Sequence, residues 1–435
     1  VGIEELLRLM ENGFPTPSLH PNPDVDTPSG DPADTPPTDP SAPLVAQVIR
    51  TTTDPFAGRL SMVRVFSGTL KVDDTVQVIA RYGALKSDVH QDHSSAERVG
   101  GIQVAAGTEL KPRQQAIAGE IVMIPKLNAA DTGDTICSKD QQVVVERWTL
   151  PDPLLPLAVK AATRNDEDKL SGALNRLAVE DTTVRLDRSG GDQLVLWVTG
   201  QAHADLLLGR LVDRYGVRVE QEEIKIPLRE TFIGPSEAQG RHVKQSGGHG
   251  QYAVCHIRVE PMERGSGFEF VDQVVGGAVP RQFIPSVEKG VRSQLEKGVI
   301  AGFPVVDIRV VLDDGKAHSV DSSDMAFQMA GALALKEAAN PKVMALLEPI
   351  DLVTITVADQ YMGAVMTDLS GRRGQMQGTD NIGNKTVIKA LVPQSELTRY
   401  AIDLRGLAQG SGTFTREFHG YELLPQNLIS KYVKE

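Results

Sequence analysis

Two stretches of this chain, 153–227 and 350–435, repeat one order of signals, and that recurrence restricts the fold more than any other feature. In the first, Leu157–Thr163 reads as extended, and Asp166–Ala178 sets Leu170, Leu174 and Leu177 on one helical face. Thr182–Asp187 and Gln193–Thr199 flank a Ser189-Gly190-Gly191 turn. Leu206–Tyr215 is a leucine-rich helix stopped by Gly216, and Val217–Gln221 closes the set. In the second, Val353–Val357 is extended, a helix over Asp359–Leu369 has Gly371 behind it, and Gln375–Thr379 with Thr386–Pro393 forms a hairpin. A helix near Ser395–Asp403 and a strand near Thr413–Phe418 follow. Two βαββαβ units predict two ferredoxin-like domains flanking a third unit, within a multidomain α+β chain.

Ahead of them the pattern differs. Residues 1–20 form the end of an amphipathic helix (Ile3, Leu6, Leu7, Met10), stopped by Gly13 and Pro15. The chain opens with Val1 inside that pattern, which predicts that an N-terminal piece is absent. Pro21–Pro43 is rich in Pro, Asp, Ser and Thr and predicts a linker with too little apolar surface to order itself. Over 44–150, short β segments at Leu44–Arg50, Arg59–Phe66, Thr75–Ala80, Glu120–Ile124 and Asp134–Cys137 alternate with turn signals, as in a small antiparallel barrel. Arg81–Arg113 reads only as long loops and hairpins.

The formal net charge is −12, but Asp24, Asp26, Asp31, Asp34 and Asp39 lie in the linker with no Lys or Arg to offset them. From Leu44 onward the chain is near neutral for its size, so charge neither supports nor excludes an RNA partner. No apolar run approaches the ~20 residues a bilayer needs, so no membrane partner is expected. Two cysteines far apart, Cys137 and Cys255, suit a reducing compartment, and a cytoplasmic location is expected.

The third unit, 228–349, contains RHVKQSGGHGQYAVCHIRVEP at 241–261. Gly247, Gly248 and Gly250 predict a sharp exposed loop. After it Ala253, Cys255, Ile257 and Val259 fall on one face of a strand, and Tyr252, His256, Arg258 and Glu260 on the other. Phosphate-cradling loops open helices, and this one feeds a strand, which argues against nucleotide binding and leaves two readings of the stretch, a protruding loop that touches a partner and an ordinary hairpin. Helices follow at Arg281–Lys297, with Phe283, Val287, Val291 and Leu295 as a core stripe, and at Ser322–Ala339. There Met325, Met329, Ala332 and Leu333 form the stripe and Asp321 is the expected N-cap. Between them lies a second polar loop, Asp313 to Ser319. If the two loops project at one end, they make a tip carrying Lys244, His249, Gln251, Lys316 and His318.

Catalytic constellations are missing. The sequence has no GxxxxGK[ST], GxSxG, HExxH or CxxC. Asn384-Lys385-Thr386-Val387 falls in a predicted hairpin and reads as a turn. His203 and Asp205, two apart on a helix, face different ways, and so do Cys255 and His256 on a strand. This is the pattern of a binding and positioning protein; no catalytic, cofactor or metal site is expected within it.

Several long segments together resemble bacterial elongation factor G, the translocation GTPase of the ribosome. They are GIEELLRLMENGFPTP at 2–17, DPFAGRLSMVRVFSGTL at 54–70, SGGHGQYAVCHIRVEP at 246–261 and RGSGFEFVDQVVGGAVP at 264–280. GFPVVDIRVVLDDGKAHSVDSSDMAF at 302–327, LLEPI at 346–350, YMGAVMTDLSGRRGQMQG at 361–378 and YAIDLRGLAQGSGTF at 400–414 continue the series. The resemblance implies a remnant of the GTPase domain at 1–20, the linker at 21–43, a domain II-like barrel at 44–150 and a domain III-like unit at 151–227. It further implies a tRNA-mimicking, elongated domain IV at 228–349, similar to the second domain of ribosomal protein S5, and a domain V-like unit at 350–435. Gly248, Gly250, Gln251 and Tyr252 match the family's first tip loop, His318 the second, and Arg372 and Arg373 a part that approaches ribosomal RNA. The implied partners are the ribosome, tRNA and mRNA, with ribosome recycling factor as a further one, for a monomer. GTP and Mg would belong to the absent N-terminal domain, the seat of GTP hydrolysis.

Departures from the family pattern predict a divergent copy and not the housekeeping translocase. His249 stands where Arg is usual and Ala253 where Gly is usual. Gln201 and Asp205 replace two glutamates of the third domain's helix start, and Arg81–Ala96 is longer than the norm. Recycling, or ribosome binding without a productive GTPase cycle, is therefore an alternative to translocation. A tetracycline-resistance-type protection protein is a third reading, disfavoured by the retained glycine loop and His318.

Overall fold

The computed structural model describes residues 2–54, 58–82, 91–107, 109–148, 150–188, 193–244 and 250–432. The chain forms two units: Val1–Pro153 with Val159–Asp187 and Leu194–Glu222, and Leu154–Ala158 with Arg188–Gln193 and Glu223–Glu435.

In the first unit, strands Val45–Asp54 and Gly58–Ser67 centre an eight-stranded antiparallel sheet. Val76 and Val78 from one end of the strand order and Ile102 from the other share one apolar cluster with Val48, Val63, Val65 and Ile124. The sheet therefore curls around a single core, as in a barrel. Within 81–113 the loops include strand His93–Arg98, paired with Thr75–Ala80, and the hairpin Ile102–Ala106 with Glu109–Arg113. Residues 83–90, half of the extended region, lie outside the described residues.

The expectation of an unordered linker at 21–43 is corrected. Val25–Asp26 pairs with both Pro32–Ala33 and Val144–Val145, and Asn22 Nδ2 donates to the carbonyls of Pro36 (2.8 Å) and Phe66 (3.2 Å). Val25 is buried with Val45, Ile79, Cys137, Val143, Val144 and Val145. One well-placed valine and a few borrowed backbone bonds suffice where the segment's own composition would not.

The two βαββαβ units take the same strand order. With strands numbered as they occur in each unit, both sheets run 2-3-1-4: Arg185–Asp187, Leu194–Val198, Leu155–Ala161, Val219–Glu222 in one. The other runs Gln375–Ile382, Lys385–Pro393, Met344–Ala358, Thr413–Leu423. Leu170, Leu174 and Leu177 are buried, and Gly216 (φ 63°) ends its helix in the left-handed region. The C-terminal sheet holds a fifth strand: Arg229–Phe232 pairs with Met344–Leu347. The boundary drawn at 349/350 thus falls inside one continuous strand.

Between these strands a four-stranded sheet runs Ser236–Lys244, Gln251–Pro261, Ile308–Ala317, Phe268–Asp272, with the last pair parallel. Helices Ile284–Lys297 and Asp324–Ala338 cover one face. Phe283, Val287, Val291 and Leu295 are buried as expected. The stripe expected on the second helix is corrected: Met325 and Met329 are 60 % and 42 % exposed, while Ala326, Phe327, Ala330, Ala334 and Leu335 face the core. Small residues win because the helices approach closely; a Cβ on Gly290 would lie 1.9 Å from the Gln328 carbonyl oxygen. The N-cap is Ser323, whose hydroxyl accepts from the Ala326 N–H, and not Asp321. Both cysteines are free and buried, and burial pushes the Cys255 thiol up to about 12.

Candidate nucleic-acid interface

The alternation that buries Cys255 and Ala253 continues past the end of the core. His242 pairs with Ala253 and Lys244 with Gln251, so the hairpin carries its inner face out beyond the last apolar layer. The third strand follows to Lys316 and Ala317, which pair with Val254 and Ala253. Gly247, Gly248 and His249 of the connecting loop lie outside the described residues.

At this end the second loop folds back on the first, and Asp321 holds them together. Its Oδ1 accepts from the Gly250 N–H (3.1 Å), its carbonyl from the Tyr252 N–H (2.8 Å), and its Oδ2 lies 3.1 Å from His318 Nδ1. Ser322 Oγ accepts from the His318 N–H (2.8 Å) and donates to the Tyr252 carbonyl (2.7 Å). The Tyr252 and His318 rings sit 5.9 Å apart, inclined at 52°. A Cβ on Gly250 would stand 3.1 Å from Asp321 Cγ, so the glycine serves this close approach. Lys244, Gln251, Lys316 and His318 are exposed, and Val320 beside them is 64 % exposed.

The structure therefore brings Lys244, Gly250, Gln251, Tyr252, Lys316 and His318 to one end of one domain. Cationic ammonium groups, an amide, an imidazole and an aromatic ring on a rigid hairpin can meet phosphates, sugars and base edges. Sequence reading missed two contributors. In sequence Asp321 reads as the helix cap, although it stands three residues after His318. His242, 5 % exposed with Nε2 2.7 Å from Gln251 Oε1, is a polar residue at a core-parity position.

Arg372 and Arg373 are placed differently. Arg372 donates to Asp368 (2.7 Å), Asp403 (2.8 Å) and the Glu396 carbonyl (2.8 Å), and its guanidinium lies 5.0 Å over the Tyr400 ring. Arg373 forks onto Glu348 (2.5 and 2.9 Å) and reaches Glu396 and Ser395. Their charge is spent on carboxylates of their own unit, so RNA there would have to compete with internal pairs, and the expected role loses geometric support.

The departures have plain settings. Ala253 is fully buried in the core, and Gln201 donates to Asp205 (2.8 Å), so two replacements in the helix start touch each other. His203 lies 3.0 Å from Asp181 and from Thr199 Oγ1. Among the described residues no group of three or more His, Cys, Asp or Glu could hold a metal ion. Nor is any helix among them long and apolar enough to cross a membrane.

Comparison with known proteins gives four family matches in order: "Elongation factor G domain 2" over residues 43–139, "Elongation Factor G, domain III" over 150–223, "Elongation factor G, domain IV" over 224–341 and "Elongation factor G C-terminus" over 345–432. An elongation factor G-like protein of Mycobacterium tuberculosis (strain H37Rv) is 55 % identical over 437 residues, covering 99 % of this chain and 61 % of the relative. Elongation factor G of Aquifex pyrophilus is 40 % identical over 396 residues, covering 90 % and 55 %. A crystal structure from Thermus thermophilus superposes with a TM-score of 0.77 at 32 % identity, over 99 % of this chain and 60 % of that one. The chain spans about three fifths of the length of these relatives. With four consecutive domains matched and whole-chain likeness in sequence and fold, this chain belongs to the elongation factor G family.

Proposed function

We propose that this chain supplies the ribosome-contacting domains of an elongation factor G-like translation factor that promotes GTP-driven movement of tRNA and mRNA. The observation that carries the reading is the clasped tip: Tyr252 at the start of its strand and His318 on the second loop, joined through Asp321, with Lys244, Gln251 and Lys316 exposed around them. Such a tip need do no chemistry. By binding the state after movement better than the state before it, it biases a two-state equilibrium, and each tenfold of bias needs ~1.4 kcal/mol, within reach of one or two charge-assisted contacts. The reading assigns GTP and Mg to a part of the protein beyond this chain, and the ribosome with its tRNA and mRNA to the tip as partners.

A second reading, recycling of ribosomes or binding to them without productive turnover, is favoured by Gln201 and Asp205. These replacements reduce the acidic character of the third domain's helix start. Ribosome-stimulated GTP turnover and tRNA movement, measured together on the full-length protein, separate the two: hydrolysis without movement selects the second. Alanine at His318 and at Gln251 should slow movement while GTP binding is unchanged. Unaltered movement in both variants would remove the tip from the mechanism.

A further inference from the structure

His242 is a buried histidine in contact with an exposed glutamine, and this pair determines what the tip can recognise. Its ring is 5 % exposed, and its Nε2 stands 2.7 Å from Oε1 of Gln251, one rung further out on the same face of the hairpin. An amide oxygen has no hydrogen to give, so this bond exists only with the proton on Nε2. The imidazole therefore donates, Oε1 is consumed, and the Gln251 amide is held with its two Nε2 hydrogens turned from the ring. A glutamine free of such an anchor could flip and offer either end, since oxygen and amide nitrogen have nearly the same shape.

We infer that His242 is a positioning residue that fixes the polarity of the Gln251 amide, so that at this point the tip takes a ligand presenting hydrogen-bond acceptors. This rests on the reading of the tip as a ribosome-contacting site, and it deepens that reading by naming the chemistry of the facing group. Phosphate oxygens, ribose oxygens and the acceptor edges of bases in an RNA minor groove satisfy it; an amide or ammonium donor does not. Lys244, paired across the hairpin from Gln251, adds a second group that can only donate.

The test uses the full-length protein and ribosomes programmed with mRNA and tRNA, reading ribosome affinity and the rate of tRNA movement. Gln251→Glu keeps the shape but replaces donors with acceptors, and should fall about tenfold below Gln251→Ala, because two acceptors then face each other without a hydrogen. His242→Leu should weaken binding in the wild-type background and do nothing further in a Gln251→Ala background, since its effect passes through the amide. His242→Gln can pair with the Gln251 amide in either sense and so should not restore the loss, while thermal unfolding confirms that each variant folds. If Gln251→Glu equals or exceeds Gln251→Ala, or the two positions act additively, the inference is overturned although the tip reading survives. If Gln251→Ala itself changes nothing, this inference falls, and the tip reading falls with it only where His318→Ala is silent as well.

Discussion

Glu230 offers the sharpest stability test. It lies on strand Arg229–Phe232, fully buried, and its carboxylate accepts four backbone N–H groups from one turn: Val299 (2.7 Å) and Ile300 (3.0 Å) at Oε2, Ala301 (2.8 Å) and Phe303 (3.1 Å) at Oε1. Replacing it by Gln preserves size and leaves one oxygen to accept two of these bonds. The other two N–H groups then face an NH2 that can only donate. A buried donor left without a partner costs about 1–3 kcal/mol, and bonds to a charged acceptor stand at the upper end, so Glu230→Gln should destabilise this turn by roughly 3–5 kcal/mol. A multidomain chain need not unfold in one step, so native-state hydrogen exchange at the four amides is the suitable assay. Their protection should fall by about two to three and a half decades, with the barrel amides unchanged. A Gln variant within about 1 kcal/mol of wild type at these amides would refute the reasoning, because it would mean the carboxylate charge is not what holds the turn.

Three further outcomes are expected. Asp321→Ala should release the Gly250 end of the clasp, weakening protection of that amide by about 1–2 kcal/mol, while the Tyr252 amide keeps its bond to the carbonyl of residue 321; hydrogen exchange at Gly250 checks it, and unchanged protection there would count against the clasp. Arg373→Ala leaves Glu348, 3 % exposed, without its forked partner, and should lower stability by about 3–5 kcal/mol, whereas Glu348→Gln in that background should recover part of it by thermal unfolding. Burial alone would raise the Asp313 carboxyl, but hydrogen bonds from His256 (2.7 Å) and Arg258 (3.0 Å) outweigh it and hold it below its ordinary range. Its stabilisation is therefore present above the ordinary carboxylate value and lost as pH falls through the lowered one. Asp313→Asn should flatten the stability curve in that acidic window, and an unaltered slope would contradict the assignment.

What was legible in the chain, and what was not, follows from the range of the forces concerned. Periodicity located both βαββαβ units and the Phe283 stripe, because each depends on residues a few positions apart. It chose the wrong face for Asp324–Ala338, where apolar residues surround the helix. The choice there was made by the tight approach of Gly290 to Gln328, which hydropathy cannot register. The order of Val25 was hidden for a related reason: its partners Val144 and Val145 come from far along the chain. Arg372 and Arg373 looked available because Asp403 and Glu348 approach only in three dimensions, although Asp368 stands one helical turn before Arg372. The tip was foreseen as two loops, yet its fastening was not. Asp321 satisfied the rules for a helix cap equally well, and nothing local says that Ser323 takes that task instead.

Strand Met344–Ala358 has one consequence of its own. Its first residues bond to Arg229–Phe232, beneath the domain that bears the tip, and its later ones form the middle of the C-terminal sheet, with a register shift at Ile350/Asp351 but no break. Swivelling between domains ordinarily happens in loops or at the ends of elements. The strand itself offers no such joint, so any swivel of the sheet that carries the hairpin falls to the two short connections outside it, Phe232 to Ser236 and Ala338 to Met344. A few residues on either side of one stiff rod then govern how far Gln251 can stray from the C-terminal helices.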